Sequence, residues 1–338
     1  MKKTYFIIPV IIIITSILIS SFAPTIFSTP IKVRIGYMQA ASYGLLAIAY
    51  EKGYFKEEGL EVELKEYPSV ASLVTALYNK EIDGVPLTSV AIAAFISKLD
   101  IRIVSGNSLD GTALISHRKI SNLEELSGMK LGTVQYVPGD FIFRKVITEK
   151  NITVEIKEYF SPPDALLALE NGVVDASLLW EPYVSLAEYR NLTIGLWDFN
   201  VYNKSYPCCL MVFSDSFIKS NPPDVITKFI RALIKAETFG YKNPGEALPL
   251  IKKYLPLVPV EIIYKSIFYI DENIGKARNP ISAYIDYDLI TSFFSLLVPS
   301  LISQRDYDLL ISRIDLTYYQ KAISSLKAEG FSLPKYYQ

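Results

Sequence analysis

The chain has 338 residues, which is long enough for two domain cores. Hydrophobic residues make up 50% of it and aromatic residues 13%, which excludes an intrinsically disordered protein. The formal net charge is −1 and acidic and basic residues are interspersed, so the chain lacks the basic face of a nucleic-acid-binding protein and we expect no nucleic-acid partner.

The first thirty residues have the pattern of a secretory signal peptide or a membrane anchor. Two lysines precede an apolar run from Tyr5 to Ile19, which approaches the roughly twenty residues that span a bilayer. The small-residue cleavage signal at Ala23 is followed directly by Pro24, so cleavage and retention both remain open. A buried core helix would leave the flanking lysines unexplained. In either favoured case the body of the chain is exported, and it meets the membrane through this segment.

A gapless repeat relates two parts of the chain. Residues 62–90 align with residues 154–182, so that "KEYPS" in the first copy matches "KEYFS" in the second. The identical pairs are Val62/Val154, Glu63/Glu155, Lys65/Lys157, Glu66/Glu158, Tyr67/Tyr159, Ser69/Ser161, Ala76/Ala168, Leu77/Leu169, Asn79/Asn171, Asp83/Asp175 and Leu87/Leu179. The repeat predicts two similar units of roughly ninety residues, and because two units are too few for a solenoid we expect a pair of lobes.

Each unit shows the same order of strand and helix signals. The first reads "IKVRIGY", a helix, "LEVELKEY", "SVASLVTALYN" and "IDGVPL"; the second reads "MKLGTV", a helix, "ITVEIKEY", "PPDALLALENG" and "VVDASLL". Alternation of strands and helices predicts parallel α/β units. Ligands of such sheets bind beyond the carboxyl ends of the strands, where helix N-termini offer unpaired N–H groups. We therefore expect the residues that follow each strand to line the site.

The chain carries few of the residues that catalysis or metal binding needs. His117 is the only histidine and is expected in an exposed loop, and the adjacent Cys208 and Cys209 are expected as small apolar residues of a buried strand. No P-loop, G-x-S-x-G or G-x-G-x-x-G motif occurs. These features favour binding over catalysis, with no cofactor and no metal.

Three N-x-S/T acceptor sites begin at Asn151, Asn191 and Asn203. They are compatible with a glycosylated, exported surface. Such triplets also arise by chance, so they decide little.

Several motifs resemble those of one family in both order and spacing. These are "LLAIAYEKGYFKEEGLEVEL", "ALYNKEIDGVPLTS", "NLEELSGMKLGTV", "SPPDALLALENGVVDASLLWEPY", "FIKSNPPDVITKFIRALIKAETFGYKNPGEA" and "IDLTYYQKA". Together they resemble the nitrate/sulfonate/taurine and thiamine-precursor (pyrimidine) group of substrate-binding proteins of ABC importers. The resemblance covers nearly the whole chain after residue 31. It implies an α/β type II periplasmic-binding-protein-like fold, with two lobes of parallel-rich sheets and a hinge.

The resemblance also implies how the chain is divided and what it meets. Lobe 1 is expected to comprise residues 31–114 and 208–338, and lobe 2 residues 115–207. The lobes would close on a small-molecule ligand by hinge motion, and the closed form would dock on an ABC permease with its ATPase. We expect a monomer. A membrane-anchored sensor or adhesive module, and a biosynthetic enzyme on the same fold, are the alternatives to transport.

The family's ligand loops, carried across by position, give most of the candidate site, and the repeat adds Ser161. The candidate ligand-binding residues are Gln39, Ser42, Tyr43, Pro68, Ser69, Thr88, Ser89, Gln135, Tyr136, Gly139, Asp140, Ser161, Trp180 and Glu181. Trp180 and Tyr43 would wall in the ligand, the hydroxyls and the Gly139 amide would hydrogen-bond it, and Glu181 would accept from an amino or ring N–H. The alternatives are a core aromatic for Trp180, a helix N-terminal acid for Glu181 and a helix cap for Ser69.

The charges near these loops suggest a ligand class. No Arg or Lys falls in the loops, whereas Glu181 and Asp140 do, with Asp110 nearby. These acids favour an amine-bearing heteroaromatic ligand, such as a pyrimidine precursor of thiamine. A sulfonate, taurine or nitrate held by helix N-termini and hydroxyls is the alternative.

Overall fold

A computed structural model of the chain describes residues 30–334. The strands are β1 (Ile31–Tyr37), β2 (Leu60–Glu66), β3 (Gly84–Thr88), β4 (Ile101–Leu109), β5 (Thr112–Ser116), β6 (Lys130–Val134), β7 (Glu155–Tyr159), β8 (Ala176–Trp180), β9 (Thr193–Trp197), β10 (Pro207–Ser214), β11 (Ile270–Asp271) and β12 (Lys276–Ala277).

Helices fill the connections and most of the C-terminal part. They are α1 (Gly44–Glu51), α2 (Tyr54–Glu57), α3 (Val70–Tyr78), α4 (Ser89–Phe95), α5 (Pro138–Glu149), α6 (Pro162–Glu170), α7 (Tyr183–Tyr189), α8 (Asp198–Tyr202), α9 (Asp215–Ser220), α10 (Val225–Lys242), α11 (Pro244–Lys252), α12 (Val260–Ile267), α13 (Tyr287–Leu296), α14 (Gln304–Ser312) and α15 (Thr317–Ala328).

Two five-stranded sheets share one topology. Their strand orders are β2-β1-β3-β10-β4 and β7-β6-β8-β5-β9. In each sheet the first three strands are parallel, and the fourth is antiparallel to both of its neighbours. The predicted α/β class with parallel-rich sheets is confirmed.

The repeat seen in the sequence reappears as matched elements. Helix α3 begins at 70 and α6 at 162, and β3 begins at 84 and β8 at 176, so both pairs are offset by 92 positions (162 − 70 and 176 − 84). Ser69 and Ser161 cap the two helices, accepting hydrogen bonds from the amides of Ser72 at 3.1 Å and Asp164 at 3.4 Å. One sequence pattern thus builds the same corner in both sheets.

Asp83 and Asp175 occupy equivalent places in the two units, and each accepts a hydrogen bond from the amide of a neighbouring strand. The Asp83 carboxylate accepts from the Arg34 amide at 2.8 Å, and the Asp175 carboxylate accepts from the Lys130 amide at 2.7 Å. Asp83 also pairs with the Arg34 guanidinium at 2.6 Å. Asp83 directly precedes β3 and Asp175 directly precedes β8. Each aspartate therefore fixes the start of that strand to the neighbouring strand, β1 or β6.

Replacing Asp83 by alanine is expected to lower the free energy of unfolding by about 2 kcal/mol, because a buried carboxylate hydrogen-bonded to an amide and a guanidinium is lost. Asp175→Ala should cost about 1 kcal/mol, since Asp175 is exposed and lacks the ion pair. Urea denaturation of both variants measures the difference. Equal losses would show that the Arg34 pair adds nothing.

The chain passes twice between the sheets. It leaves the first sheet after Leu109 and enters the second at Thr112, and it returns to the first at Pro207. The strand from Thr112 to Ser116 therefore belongs wholly to the second sheet. The division into lobes at 114/115 and 207/208 stays a prediction, and we keep the names lobe 1 and lobe 2 for those ranges.

The core next to the first sheet is rich in aromatic contacts. Helix α10 packs against α1, and the ring of Phe229 lies 4.8 Å from that of Phe55 and 5.0 Å from that of Phe213. Cys208 and Cys209 are buried, unbridged residues of β10, as predicted. His117 is exposed in the bend after β5, also as predicted, with Nε2 2.9 Å from the Leu169 carbonyl oxygen.

The N-terminal signal or anchor lies outside the described residues. Within residues 30–334, no helix combines the length and the apolarity that crossing a bilayer requires. Asn151, Asn191 and Asn203 are exposed and have φ of 53°, 64° and 63°. Asparagine tolerates this left-handed conformation better than most residues, which explains these three positions without glycosylation.

Candidate ligand-binding site

Loops at the strand ends of the two sheets contact each other directly. The Ala41 amide donates to the Glu181 carbonyl oxygen at 3.3 Å, and the Tyr183 hydroxyl donates to the Gln39 carbonyl oxygen at 3.2 Å. Across the same junction the Thr88 hydroxyl donates to the Tyr136 carbonyl oxygen at 2.6 Å. The loops after β1, β3, β6 and β8 therefore meet, as the strand-end rule predicts. We call this meeting place the junction.

The loop after β1 is held by buried polar contacts. Tyr43 is buried, and its hydroxyl donates to the Pro86 carbonyl oxygen at 3.0 Å. Burial raises the pKa of Tyr43 well above its ordinary value. The Ser42 carbonyl oxygen accepts from Nδ2 of Asn107 at 2.7 Å. The Tyr43 hydroxyl therefore serves the first sheet internally, and Ser42 is positioned by β4.

The other first-sheet candidates serve mainly as caps and supports. Ser69 forms a reciprocal capping box with Ser72 at the start of α3, which is the alternative role that the sequence left open, and Pro68 is exposed. Thr88 caps α4 while reaching Tyr136, and the buried Ser89 hydroxyl donates to the Pro207 carbonyl oxygen at 2.7 Å. Of these, only Thr88 spans the junction by its side chain.

On the second-sheet side, the loop after β6 adopts a constrained shape. Tyr136 has φ of 63°, which is uncommon for a bulky residue, and its ring lies 5.1 Å from that of Phe95. Gln135 donates to the Glu158 carboxylate. A Cβ at Gly139 would lie 2.3 Å from Cβ of Thr112, so only glycine lets α5 start this close to β5.

Asp140 is paired with an arginine that the sequence reading missed. Nε of Arg144 donates to Asp140 at 2.7 Å, and its Nη2 reaches the Thr133 hydroxyl at 2.7 Å and Glu158 at 3.0 Å. Burial raises the pKa of Asp140 to about 6, against the opposing effect of Arg144. The i,i+4 spacing on α5 is the signal that could have revealed the pair.

Glu181 is enclosed by protein donors. It is 1% exposed, and its carboxylate accepts from the Ser185 amide at 3.1 Å, the Ser185 hydroxyl at 2.8 Å and the Ser266 hydroxyl at 2.9 Å. The Arg278 guanidinium lies 3.8 Å away. Burial raises the pKa of Glu181, and Arg278 opposes this. These contacts match the helix N-terminal acid that was the alternative for this residue.

Asp110 is likewise satisfied within the protein. Nζ of Lys276 lies 2.7 Å from its carboxylate, which also accepts from the Ser205 hydroxyl at 2.9 Å and the Tyr206 amide at 3.1 Å. The three acids that favoured an amine-bearing ligand are therefore all paired with cations or hydroxyls of the chain. The premise behind that preference is wrong.

Two remaining candidates lie at strand ends with different exposure. Trp180 is half-buried at the end of β8, in register with Thr112 of β5. The Ser161 cap is partly exposed, and its hydroxyl donates to the Asp164 carboxylate at 2.5 Å. Trp180 is thus next to the junction, while no contact brings Ser161 to it among the described residues.

Two buried polar groups beside the junction were missed by the sequence reading. Oγ1 of Thr112 and Oδ1 of Asn107 are buried and have no hydrogen-bond partner among the described residues. Thr112 begins β5 beside Gly139, and Asn107 holds the Ser42 loop. Unpaired buried polar atoms are uncommon and call for an explanation. No local sequence pattern marks either atom as unpaired.

A separate groove lies elsewhere on the molecule. It has a volume of about 950 Å³, on β1, β2 and the neighbouring α2, and Lys32, Arg34 and Lys56 are among its lining residues. It shares none of the fourteen predicted site residues.

Comparisons with known proteins agree with this fold. A family model described as the NMT1-like family matches residues 28–248. The "putative aliphatic sulfonates-binding protein" of Bacillus subtilis is 23% identical over 322 residues, which cover 88% of this chain and 90% of that protein.

Solved structures show the same architecture. The periplasmic nitrate-binding protein NrtA from Synechocystis PCC 6803 has a TM-score of 0.72 at 13% identity, covering 90% of this chain and 91% of that chain. The alkanesulfonate-binding protein SsuA from Xanthomonas axonopodis pv. citri bound to MOPS has a TM-score of 0.67 at 14% identity, covering 86% and 100%. The predicted family resemblance and periplasmic-binding-protein-like fold are confirmed. Since the family model matches more than half of the chain, the chain belongs to the NMT1-like family.

Proposed function

We propose that this chain is an extracytoplasmic solute-binding protein that delivers a small anion of the sulfonate or nitrate class to an ABC importer. The anion would bind in the junction, between lobes that close around it by a hinge motion. The sulfonate- and nitrate-binding relatives named above support the transport role. Its partners are then an ABC permease and its ATPase.

The observation that carries the proposal is the unpaired hydroxyl of Thr112 at the place where helix N-termini converge. Helices α4 and α5 begin at the junction with Ser89 and Pro138, and the amides of their first turns, from Gly139 onward in α5, offer donors and the positive end of a helix dipole. Asp140, Glu181 and Asp110 are each neutralised by a cation. Donors beside acids that are already paired with cations favour an anion over the amine-bearing heteroaromatic ligand.

We place the ligand contacts on the residues nearest the junction. Ser42, Thr112 and the Gly139 amide would donate to the anion, and Trp180 would cover its apolar part. We propose that Glu181 and Asp140 hold these loops in place and do not contact the ligand. Export through the first thirty residues, with or without cleavage, and glycans on the exposed asparagines remain predictions that intact-protein mass spectrometry can check.

Isothermal titration calorimetry tests the ligand class. We expect taurine, a short alkanesulfonate or nitrate to bind, and an aminopyrimidine to bind much more weakly. Tight binding of the aminopyrimidine alone would contradict the proposal. Recovery of the ligand unchanged after prolonged incubation separates a binding protein from an enzyme on the same fold.

Replacing Thr112 by valine gives a prediction with opposite effects on stability and binding. The free energy of unfolding should rise by about 1 kcal/mol, because a buried hydroxyl without a partner is removed. Anion affinity should fall about tenfold, because one hydrogen bond to a charged ligand is lost.

Thr227 provides the matched control for this prediction. Its Oγ1 is also buried without a partner among the described residues, but it lies on α10, away from the junction. Thr227→Val should therefore stabilise the protein and leave the affinity unchanged. If Thr112→Val leaves the affinity unchanged as well, Thr112 does not contact the ligand.

A further inference from the structure

A buried guanidinium joins the two predicted lobes beside the junction. Arg278 is 3% exposed and donates to Asp271 at 2.6 and 2.8 Å, to the Ser185 hydroxyl at 3.0 Å and to Glu188 at 2.7 Å. It also lies 3.8 Å from Glu181. Asp271 belongs to lobe 1, whereas the other three partners belong to lobe 2.

The backbone on the C-terminal side of Arg278 is tied to the first sheet. The Leu109 amide donates to the Pro280 carbonyl oxygen at 3.0 Å, and the Ser282 amide donates to the Asn107 carbonyl oxygen at 2.9 Å. The Asn279 side chain adds a hydrogen bond to the Leu109 carbonyl oxygen at 2.8 Å. The segment that contains Arg278 is therefore fixed to β4, and the Arg278 side chain reaches across to the second sheet.

Its lobe 2 partners surround the start of α7. Ser185 and Glu188 lie on that helix, and Glu181 immediately precedes it and follows Trp180 of the proposed site. Helix α12 of lobe 1 adds two parallel contacts, from Lys265 to Glu188 at 2.9 Å and from the Ser266 hydroxyl to Glu181 at 2.9 Å. Two cations of lobe 1 thus face two acids of lobe 2.

The charges oppose any separation of these surfaces. Separating the two surfaces would break these ion pairs. Unless water entered, the charges would then be buried and unpaired, which costs free energy. Asp271, which belongs to the same lobe as Arg278, holds the guanidinium in the orientation in which it pairs with Glu188. None of the four charged groups is among the residues to which we assign ligand contact.

We propose that Arg278, with Lys265, is an interlobe clamp: a pair of positioning residues that stabilises the closed form through Glu188 and Glu181 and so raises ligand affinity without touching the ligand. The effect on affinity rests on the proposed function, whereas the effect on shape does not.

The most selective test replaces Glu188 by glutamine. This change removes one acid from the lobe 2 side and leaves Arg278 paired with Asp271. Glu170→Gln is the matched control, because it removes a comparable carboxylate, paired with Arg190 at 2.9 Å, from within lobe 2. Arg278→Lys and Lys265→Gln test the lobe 1 side without leaving an empty cavity.

Small-angle scattering of the ligand-free proteins and calorimetry with taurine and nitrate give the two readouts. We expect Glu188→Gln to increase the radius of gyration and to weaken binding about tenfold, which is within the usual range of coupling between sites. Glu170→Gln should change neither, and the effects of Glu188→Gln should shrink at high salt. If Glu188→Gln matches Glu170→Gln in both radius and affinity, the clamp is disproved. If the unaltered protein binds neither anion but the radius still differs, the proposed function fails and the clamp stands.

Discussion

Replacing Gly106 by alanine is expected to lower the free energy of unfolding by about 3 kcal/mol or more. A Cβ at this position of β4 would lie 1.9 Å from the Tyr284 carbonyl oxygen, which is backbone and cannot rotate away. The neighbouring segment is fixed by the hydrogen bond from the Gly106 amide to the Ala283 carbonyl oxygen at 3.2 Å. Urea denaturation followed by circular dichroism measures the loss.

Gly245→Ala is the matched control for this variant. Gly245 lies in the first turn of α11, and a Cβ there would meet nothing within 4 Å. Its replacement should leave stability unchanged or raise it by about 1 kcal/mol, since alanine restricts the unfolded chain. Equal stability of both alanine variants would show that residues 282–284 do not pack against β4 as described.

The second large effect concerns pH and Asp198. This carboxylate is fully buried and accepts from the Thr112 amide at 2.7 Å, the Phe199 amide at 2.7 Å and the Tyr206 hydroxyl. Burial, helped by the negative charge of Asp110, raises the pKa of Asp198 to about 7. The folded state therefore holds a proton that the unfolded state releases near pH 4.

The sign of the pH dependence follows from this difference in proton binding. Between about pH 4 and pH 7 the folded state binds more protons than the unfolded state, so this group's contribution to stability is fully present below about pH 4 and is lost as the pH rises towards 7. Asp198→Asn cannot ionise and should remove the slope that Asp198 contributes. Relative to the variant, the unaltered protein should lose roughly 1 kcal/mol per pH unit between about pH 5 and 7.

Urea denaturation at several pH values measures that difference. Asp224→Asn, a change at an exposed carboxylate, should leave the profile of the unaltered protein in place. Parallel profiles for Asp198→Asn and the unaltered protein would contradict a raised pKa at Asp198.

The repeat made much of the fold predictable. Because "KEYPS" and "KEYFS" mark the same corner, the caps Ser69 and Ser161 and the paired aspartates Asp83 and Asp175 could be aligned before any coordinates. Local signals suffice for these features, since the cap and its helix are neighbours in sequence. The antiparallel fourth strand of each sheet was not predicted, because its pairing joins segments far apart in the chain.

The preference for an amine-bearing ligand lost its support for the same physical reason. Glu181, Asp140 and Asp110 read as free acids in the local sequence, but Arg278 and Lys276, which compensate two of them, come from the C-terminal part. The Lys276 contact spans 166 positions, beyond the range of any local pattern. Thr112 was missed because a threonine without a partner looks like any other threonine of a strand.

The crystal structure of a complex with a short alkanesulfonate or nitrate tests the central claim most directly. We predict the anion at the junction, within hydrogen-bond distance of the Thr112 hydroxyl and beside Trp180, with the Arg278 pairs to lobe 2 intact. Density for the anion in the groove lined by Lys32, Arg34 and Lys56, and none at the junction, would contradict the account.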